Sequence, residues 1–180
     1  MSAVPLRALS PDAFRACVGE FATGVTVVTA EHDEGPAGMT LNSFTSVSLN
    51  PLLVLVSLGH GSRTLRAVRG SERFAVSVLG RGQRDAGIAF ATRDAPFATA
   101  YVQRSHDGLL LIRGAVATLG CKLEDVTRAG DHDLVIGRVV AITHTGGEPL
   151  IFNRGRFGGL VTDAAVPPGH PIGLEEGAGW

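Results

Sequence analysis

Two short stretches carry residue types that could do chemistry. At 59–64 the order Gly59, His60, Gly61, Ser62, Arg63, Thr64 sets two hydroxyls and a fixed positive charge among small residues. It follows an apolar run and opens a segment with Leu65 and Val68 at helical spacing, so the free N–H groups of a helix start fall in the same place. These are donors that phosphate oxygens accept. The competing reading makes Ser62 a simple helix cap and leaves Arg63 in solvent. At 130–133, Gly130, Asp131, His132 and Asp133 put an imidazole between two carboxylates in a turn. The carboxylates favour its protonated form, and such a histidine either projects into a neighbouring cleft or sits on the surface. Phe157, between Arg156 and Gly158, could stack on an aromatic ligand or belong to the core.

Several chemistries are absent from the chain. The other histidines, His32, His60, His106, His144 and His170, show no ligand spacing around His132, so no metal is expected. No Gly-x-Ser-x-Gly elbow offers an acyl-transfer nucleophile. No Gly-x-Gly-x-x-Gly follows a strand, so any dinucleotide would be held outside a Rossmann fold. Lys122 is the single lysine, which excludes a phosphate loop ending in Gly-Lys-Ser/Thr.

The elements that must position these groups include one unusual stretch. Residues 35–62 run 28 positions without Asp, Glu, Lys or Arg, although 18% of the 180 residues are charged; about five charges are expected in that length. Thr40, Asn42, Ser46 and Ser48 share one parity, and Met39, Leu41, Val47 and Leu49 the other, which is strand alternation. One face thus offers neutral hydroxyls and an amide. That suits either a neutral, polyfunctional ligand or a plain Ser/Thr-rich solvent face. Asn50 and Pro51 break the strand, and Leu52 to Leu58 reads as a buried one.

Elsewhere, Ser10, Pro11 and Asp12 signal a helix start, with the helix reaching about Phe21. Val25 to Ala30 reads as a strand, with 31–38 as a hairpin connection. Further strands are expected at Phe74 to Leu79, Leu110 to Leu119, Leu134 to Thr143 and Leu150 to Phe152, with a helix at Gln83 to Phe90. Many antiparallel strands with short helices predict a mainly β fold, a barrel decorated with helices. The Pro/Gly-rich tail, 163–180, is expected to be irregular and separate from a domain over 1–162.

At 18.7 kDa the chain can enclose a core without disulfides, and Cys17 and Cys121 are expected to be small buried hydrophobes. A net charge of -1 gives no basic footprint for nucleic acid. The longest aliphatic run, Leu52 to Val56, is too short to cross a bilayer, and the N-terminus lacks a secretion signal's apolar core, so a cytoplasmic protein is expected.

In this order, the residues resemble the short-chain flavin reductase family, the NAD(P)H:flavin oxidoreductases of two-component monooxygenases. The resemblance covers about 14–160. It rests on Phe21 to Val25, Met39 to Pro51 with Asn42, Ser43 and Phe44, Phe74 to Leu79, Phe90 and Ala91, Gly130 to His132, and Gly155 with Phe157. It implies a split β-barrel of the Greek-key FMN-binding type, in a homodimer with flavin near the subunit interface.

Carried over by position, Leu41, Asn42, Ser43 and Phe44 would line the isoalloxazine and ribityl chain. Leu58, Gly59, His60, Ser62, Arg63 and Thr64 would hold the phosphate, with Arg63 standing where relatives have lysine. Phe90 and Ala91 would complete the flavin pocket. Thr40, Ser46, His132, Arg156 and Phe157 would face the nicotinamide nucleotide, His132 positioning it without obligatory proton transfer. FMN or FAD would take hydride from NADH or NADPH, and reduced flavin would diffuse to a partner monooxygenase. The alternatives are a barrel that keeps its flavin and acts on another small substrate, and a non-enzymatic flavin store or sensor.

Overall fold

The structure is a computed structural model, and it describes residues 9–92 and 95–161. The expected tail at 163–180, and the boundary at 162, lie outside the described residues. Helix α1 (Pro11–Val18) starts as the sequence predicts: Ser10 Oγ accepts from the Ala13 N–H at 3.1 Å, and Pro11 opens the first turn. It stops at Val18 and buries no residue. Cys17 is therefore exposed, a correction to the expectation of two buried thiols; Cys121 is buried.

Seven antiparallel strands form the main sheet, in the order β3-β2-β6-β9-β10-β5-β4. They are β2 (Thr26–His32), β3 (Gly35–Leu41), β4 (Thr45–Leu49), β5 (Leu52–Gly59), β6 (Arg73–Val78), β9 (Ala117–Ala129) and β10 (His132–His144). Helix α2 (Arg63–Ser71) joins β5 to β6, and α3 (Arg84–Ala91) follows β6. Two smaller sheets complete the fold. One pairs β7 (Val102–Arg104) with β8 (Leu110–Ile112); the other orders β1 (Thr23–Gly24), β11 (Ile151–Asn153) and β12 (Arg156–Gly158) as β1-β11-β12.

Strand β2 shows why the chain folds this way. Val25 to Ala30 are all buried because the strand is covered on both sides. Val28 and Ala30 face one apolar cluster with Val54, Val56, Leu58, Phe74, Val135 and the α2 residues Leu65 and Val68. Val25 and Val27 face a second with Leu79, Phe90, Ile112 and Leu150. The first cluster also takes Met39 and Leu41 of β3, and Phe44 just before β4, against residues of β5 and β10, so the sheet curls until the β3 edge shares a core with strands it does not pair with. The result is mainly β with short helices, as predicted, with β3 and β4 sharing no ladder hydrogen bonds.

The expected continuous strand from 39 to 49 is instead two, on opposite edges of the sheet. Ser43 explains the break. Its Oγ donates to the Ser57 carbonyl at 3.1 Å and accepts the Ser57 N–H at 3.0 Å, which draws the chain off β3 and onto β5. A bulge between Ser46 and Ser48 then turns Val47 outward, so Val47 and Leu49 are exposed, opposite to the alternation reading. The expected strand at 110–119 likewise divides into β8 and β9, broken where Gly114 takes a φ of 73°. Strand β10 begins at His132 rather than Leu134, so the histidine starts a strand, and the turn is Gly130 with Asp131. The 31–38 connection shrinks to residues 33 and 34.

Candidate active site

A cleft of about 750 Å³ opens between the edge of β3, the β5–α2 loop, the end of α3 and the segment 95–97. Its polar end is built on the start of α2. Gly61, at φ 80°, turns the chain after β5, and Ser62 caps the helix by accepting the Leu65 N–H at 3.2 Å. Ser62 is thus a helix cap, as one of the two readings had it, and the next two positions keep their N–H groups for a ligand. The N–H groups of Arg63 and Thr64, at the helix start, take no partner among the described residues. Thr64 is 2% exposed, lines the cleft, and its hydroxyl has no hydrogen bond among the described residues. Arg63 Nη2 donates to the Ala95 carbonyl at 2.9 Å, tying the α2 start to the 95–97 segment. Arg66 adds a second guanidinium, held on the Gly61 carbonyl at 2.8 Å. No Asp or Glu lines the cleft among the described residues. Arg66 also pairs with Glu34 at 3.6 Å, so the Arg63 guanidinium, the unpaired N–H groups and the unpaired hydroxyl are what make this end complementary to phosphate.

The other walls are neutral. Phe90, 6% exposed, meets Phe97 edge to face at 5.4 Å between centroids. Thr40 Oγ1 donates to the Gly87 carbonyl at 2.7 Å and so fastens α3 over β3. Gly38 is required here: a Cβ would stand 2.9 Å from the Phe90 ring.

Eight predicted residues meet in this cleft: Thr40, Gly59, His60, Ser62, Arg63, Thr64, Phe90 and Ala91. The rest do not line it. Leu58 is fully buried and supports the loop from beneath; Leu41 and Phe44 pack against the same core. The Ser43 hydroxyl is engaged with Ser57. Asn42 instead lines a second cleft of about 620 Å³, with Phe21, Phe152 and Arg154. Ser46 and Arg156 are exposed, on β4 and β12. Phe157 packs into the second apolar cluster, edge to face on Phe152 at 5.5 Å. His132 is paired in register with Gly59, one strand away from the cleft wall, and its Nδ1 lies 2.8 Å from Asp131 Oδ1. That hydrogen bond is the main reason the Asp131 carboxyl is held below its ordinary value.

Residues 18–160 match the flavin reductase like domain. The chain belongs to the flavin reductase family. A protein of Rhizobium meliloti (strain 1021) named "Probable flavin reductase" is 41% identical over 163 residues, which is 87% of this chain and 52% of that protein. The chain thus spans about half the length of that relative. The reductase subunit HsaB of a flavin-dependent monooxygenase, from Rhodococcus jostii (strain RHA1), is 37% identical over 167 residues, covering 92% of this chain and 86% of HsaB. Among solved structures, Streptomyces globisporus C-1027 NADH:FAD oxidoreductase SgcE6, in complex with NAD and FAD fragments, matches with a TM-score of 0.81 at 38% identity, over 89% of this chain and all of that one.

Within this flavin reductase fold the sequence reading missed Arg66 at the cleft's polar end and three further groups. Asp133 is buried beside His60, Arg69 reaches the same carboxylate, and Phe97 faces Phe90. Asp133 was visible only as a flank of His132, and nothing local signalled the other two. Among the described residues, no helix is long and apolar enough to cross a membrane, and no group of three His, Cys, Asp or Glu is placed to hold a metal.

Proposed function

We propose that the protein reduces free FMN or FAD with NADH or NADPH and supplies the reduced flavin to a separate monooxygenase. The observation that carries this reading is the cleft's phosphate-complementary end, built by Arg63, Thr64 and the α2 start next to neutral walls, in a chain of the flavin reductase family. The donor set fits a flavin phosphate. The flavin, when bound, supplies the electron chemistry, its N5 accepting hydride from nicotinamide C4.

The chain's own residues bind and align. Arg63, the Arg63 and Thr64 N–H groups and the Thr64 hydroxyl would hold the phosphate. Phe90 and the Gly38 to Thr40 edge would form a neutral wall that excludes water, and backbone N–H groups there would favour negative charge developing on the ring. Holding two rings together makes their encounter effectively unimolecular, the largest lever such a site has. His132, fixed by Asp131 one strand from Gly59, would position the nicotinamide nucleotide.

This reading takes 1–162 as one split-barrel domain and the molecule as a homodimer. Support for a partner copy comes from the exposed Val47, Leu49 and Leu52 on β4 and β5. The register places them at the end of β5 from which Val140 and Ile142, also exposed, continue along β10. Two free thiols suit a reducing, cytoplasmic setting. Anaerobic stopped-flow with each flavin and nucleotide pair tests the proposal. Rapid bleaching of flavin by one or both nucleotides is expected; a flavin that binds but is reduced by neither overturns the proposal in favour of a flavin store or sensor.

A further inference from the structure

Asp133 is the one buried acidic side chain among the described residues, 1% exposed, and it lies behind the cleft's polar end. Its Oδ2 meets His60 Nδ1 at 2.7 Å and its Oδ1 accepts from Arg69 Nη2 at 3.0 Å. Three elements meet in this contact: the loop after β5, the last turn of α2 and the start of β10. The backbone reinforces it, since the His60 N–H donates to the Asp131 carbonyl at 2.9 Å. An ionised carboxylate only accepts, so the ring nitrogen facing it carries the hydrogen in both charge states of His60. The other nitrogen, Nε2, takes no partner among the described residues, on a side chain that is 49% exposed and lines the cleft beside Ser62 and Arg63.

We propose that Asp133 is a positioning residue acting through His60: it fixes Nδ1–H inward and Nε2 outward, so that protonated His60 donates to the flavin phosphate and neutral His60 has no hydrogen to give. A free histidine can move its proton to the other nitrogen; this one is denied that tautomer. The inference rests on the cleft being the flavin site. The charged groups around His60 are Asp133 from β10, the Asp131 and His132 pair from the hairpin, and Arg63, Arg66 and Arg69 from α2, with Glu34 paired to Arg66 at 3.6 Å. Asp133 itself stays ionised across the histidine range, its carboxyl held below the ordinary value by the His60 hydrogen bond first and by Arg69.

The test is quenching of flavin fluorescence on titration with protein, using FMN and riboflavin at about pH 6 and about pH 8, on either side of the ordinary histidine value. The wild-type preference for FMN is expected to fall about tenfold between the two, the worth of one charged hydrogen bond. His60→Gln carries the phosphate's own titration as a control and is expected to lose that fall. In Asp133→Asn the amide can donate to Nδ1, which frees a neutral Nε2–H; at about pH 8 it is expected to prefer FMN more than the wild type does. A uniform loss for both flavins at both pH values would mean a structural role only. If Asp133→Asn does not fold, His60→Gln decides alone: a wild-type pH dependence that it fully retains overturns the proposal. Wild-type protein that binds neither flavin would instead overturn the reading of the cleft itself.

Discussion

Thr64 is 2% exposed and lines the cleft, and its hydroxyl has no partner among the described residues. Thr64→Val replaces that hydroxyl with a methyl of similar size. It is expected to leave thermal stability nearly unchanged while weakening FMN by about threefold to tenfold, one neutral hydrogen bond, and riboflavin hardly at all. Fluorescence titration with the two flavins measures the difference. His132→Ala is expected to raise KM for NADH by a similar threefold to tenfold with flavin affinity intact, because the ring sits across the strand pair from Gly59 and not in the cleft. Steady-state kinetics at saturating flavin checks it, and unchanged NADH kinetics would remove His132 from the site. The residues proposed to hold the phosphate were legible because they are contiguous and chemically matched. The His60–Asp133 and Arg69–Asp133 contacts were not, since their partners lie 73 and 64 positions apart and join elements that only the fold brings together.

The elements that hold the site depend on two close approaches. A Cβ on Gly137 of β10 would stand 2.4 Å from Phe74 and 3.1 Å from Cys121, both buried. Gly137→Ala is therefore expected to cost about 1 to 3 kcal/mol by overpacking, read from denaturant unfolding. The β9–β10 hairpin and its turn also carry an acid sensitivity. Glu124, held down by its hydrogen bonds with Arg138, Asp131 by His132 and Asp133 by His60 all have carboxyls below their ordinary values of 4.5 or 3.8. A lowered folded value means stability that is present above the unfolded value and lost as pH falls through the folded one. Thermal unfolding followed downward in pH should show Tm dropping below about 4.5, with Asp133→Asn less steep than the wild type. Strand β5 could be read from its apolar run from Leu52 to Leu58, although its burial alternates. The break at Ser43 could not, because its cause is a hydrogen-bonded contact with Ser57, 14 positions on. The gap between β8 and β9 had a local clue in Gly114, but a single glycine does not fix a strand end.

At the scale of the molecule, the mainly β class was legible from strand count and short connections, and the family from an ordered set of modest motifs. What stayed hidden was how the sheet curls, since that follows from β3 packing on residues of β5 and β10 with which it does not pair. The cleft draws on β3, the β5–α2 loop, α3 and the 95–97 segment. The contacts it would make to the proposed flavin are hydrogen bonds and packing, suited to a ligand that arrives, accepts hydride and departs. The measurement that tests this most directly is NADH or NADPH oxidation by gel-filtered protein as free flavin is added. Oxidation is expected to be negligible without added flavin and to rise to saturation with it, the protein emerging from the column colourless. Flavin that co-elutes with the protein, and nucleotide oxidation indifferent to added flavin, would contradict the account and favour a barrel that keeps its flavin for another substrate.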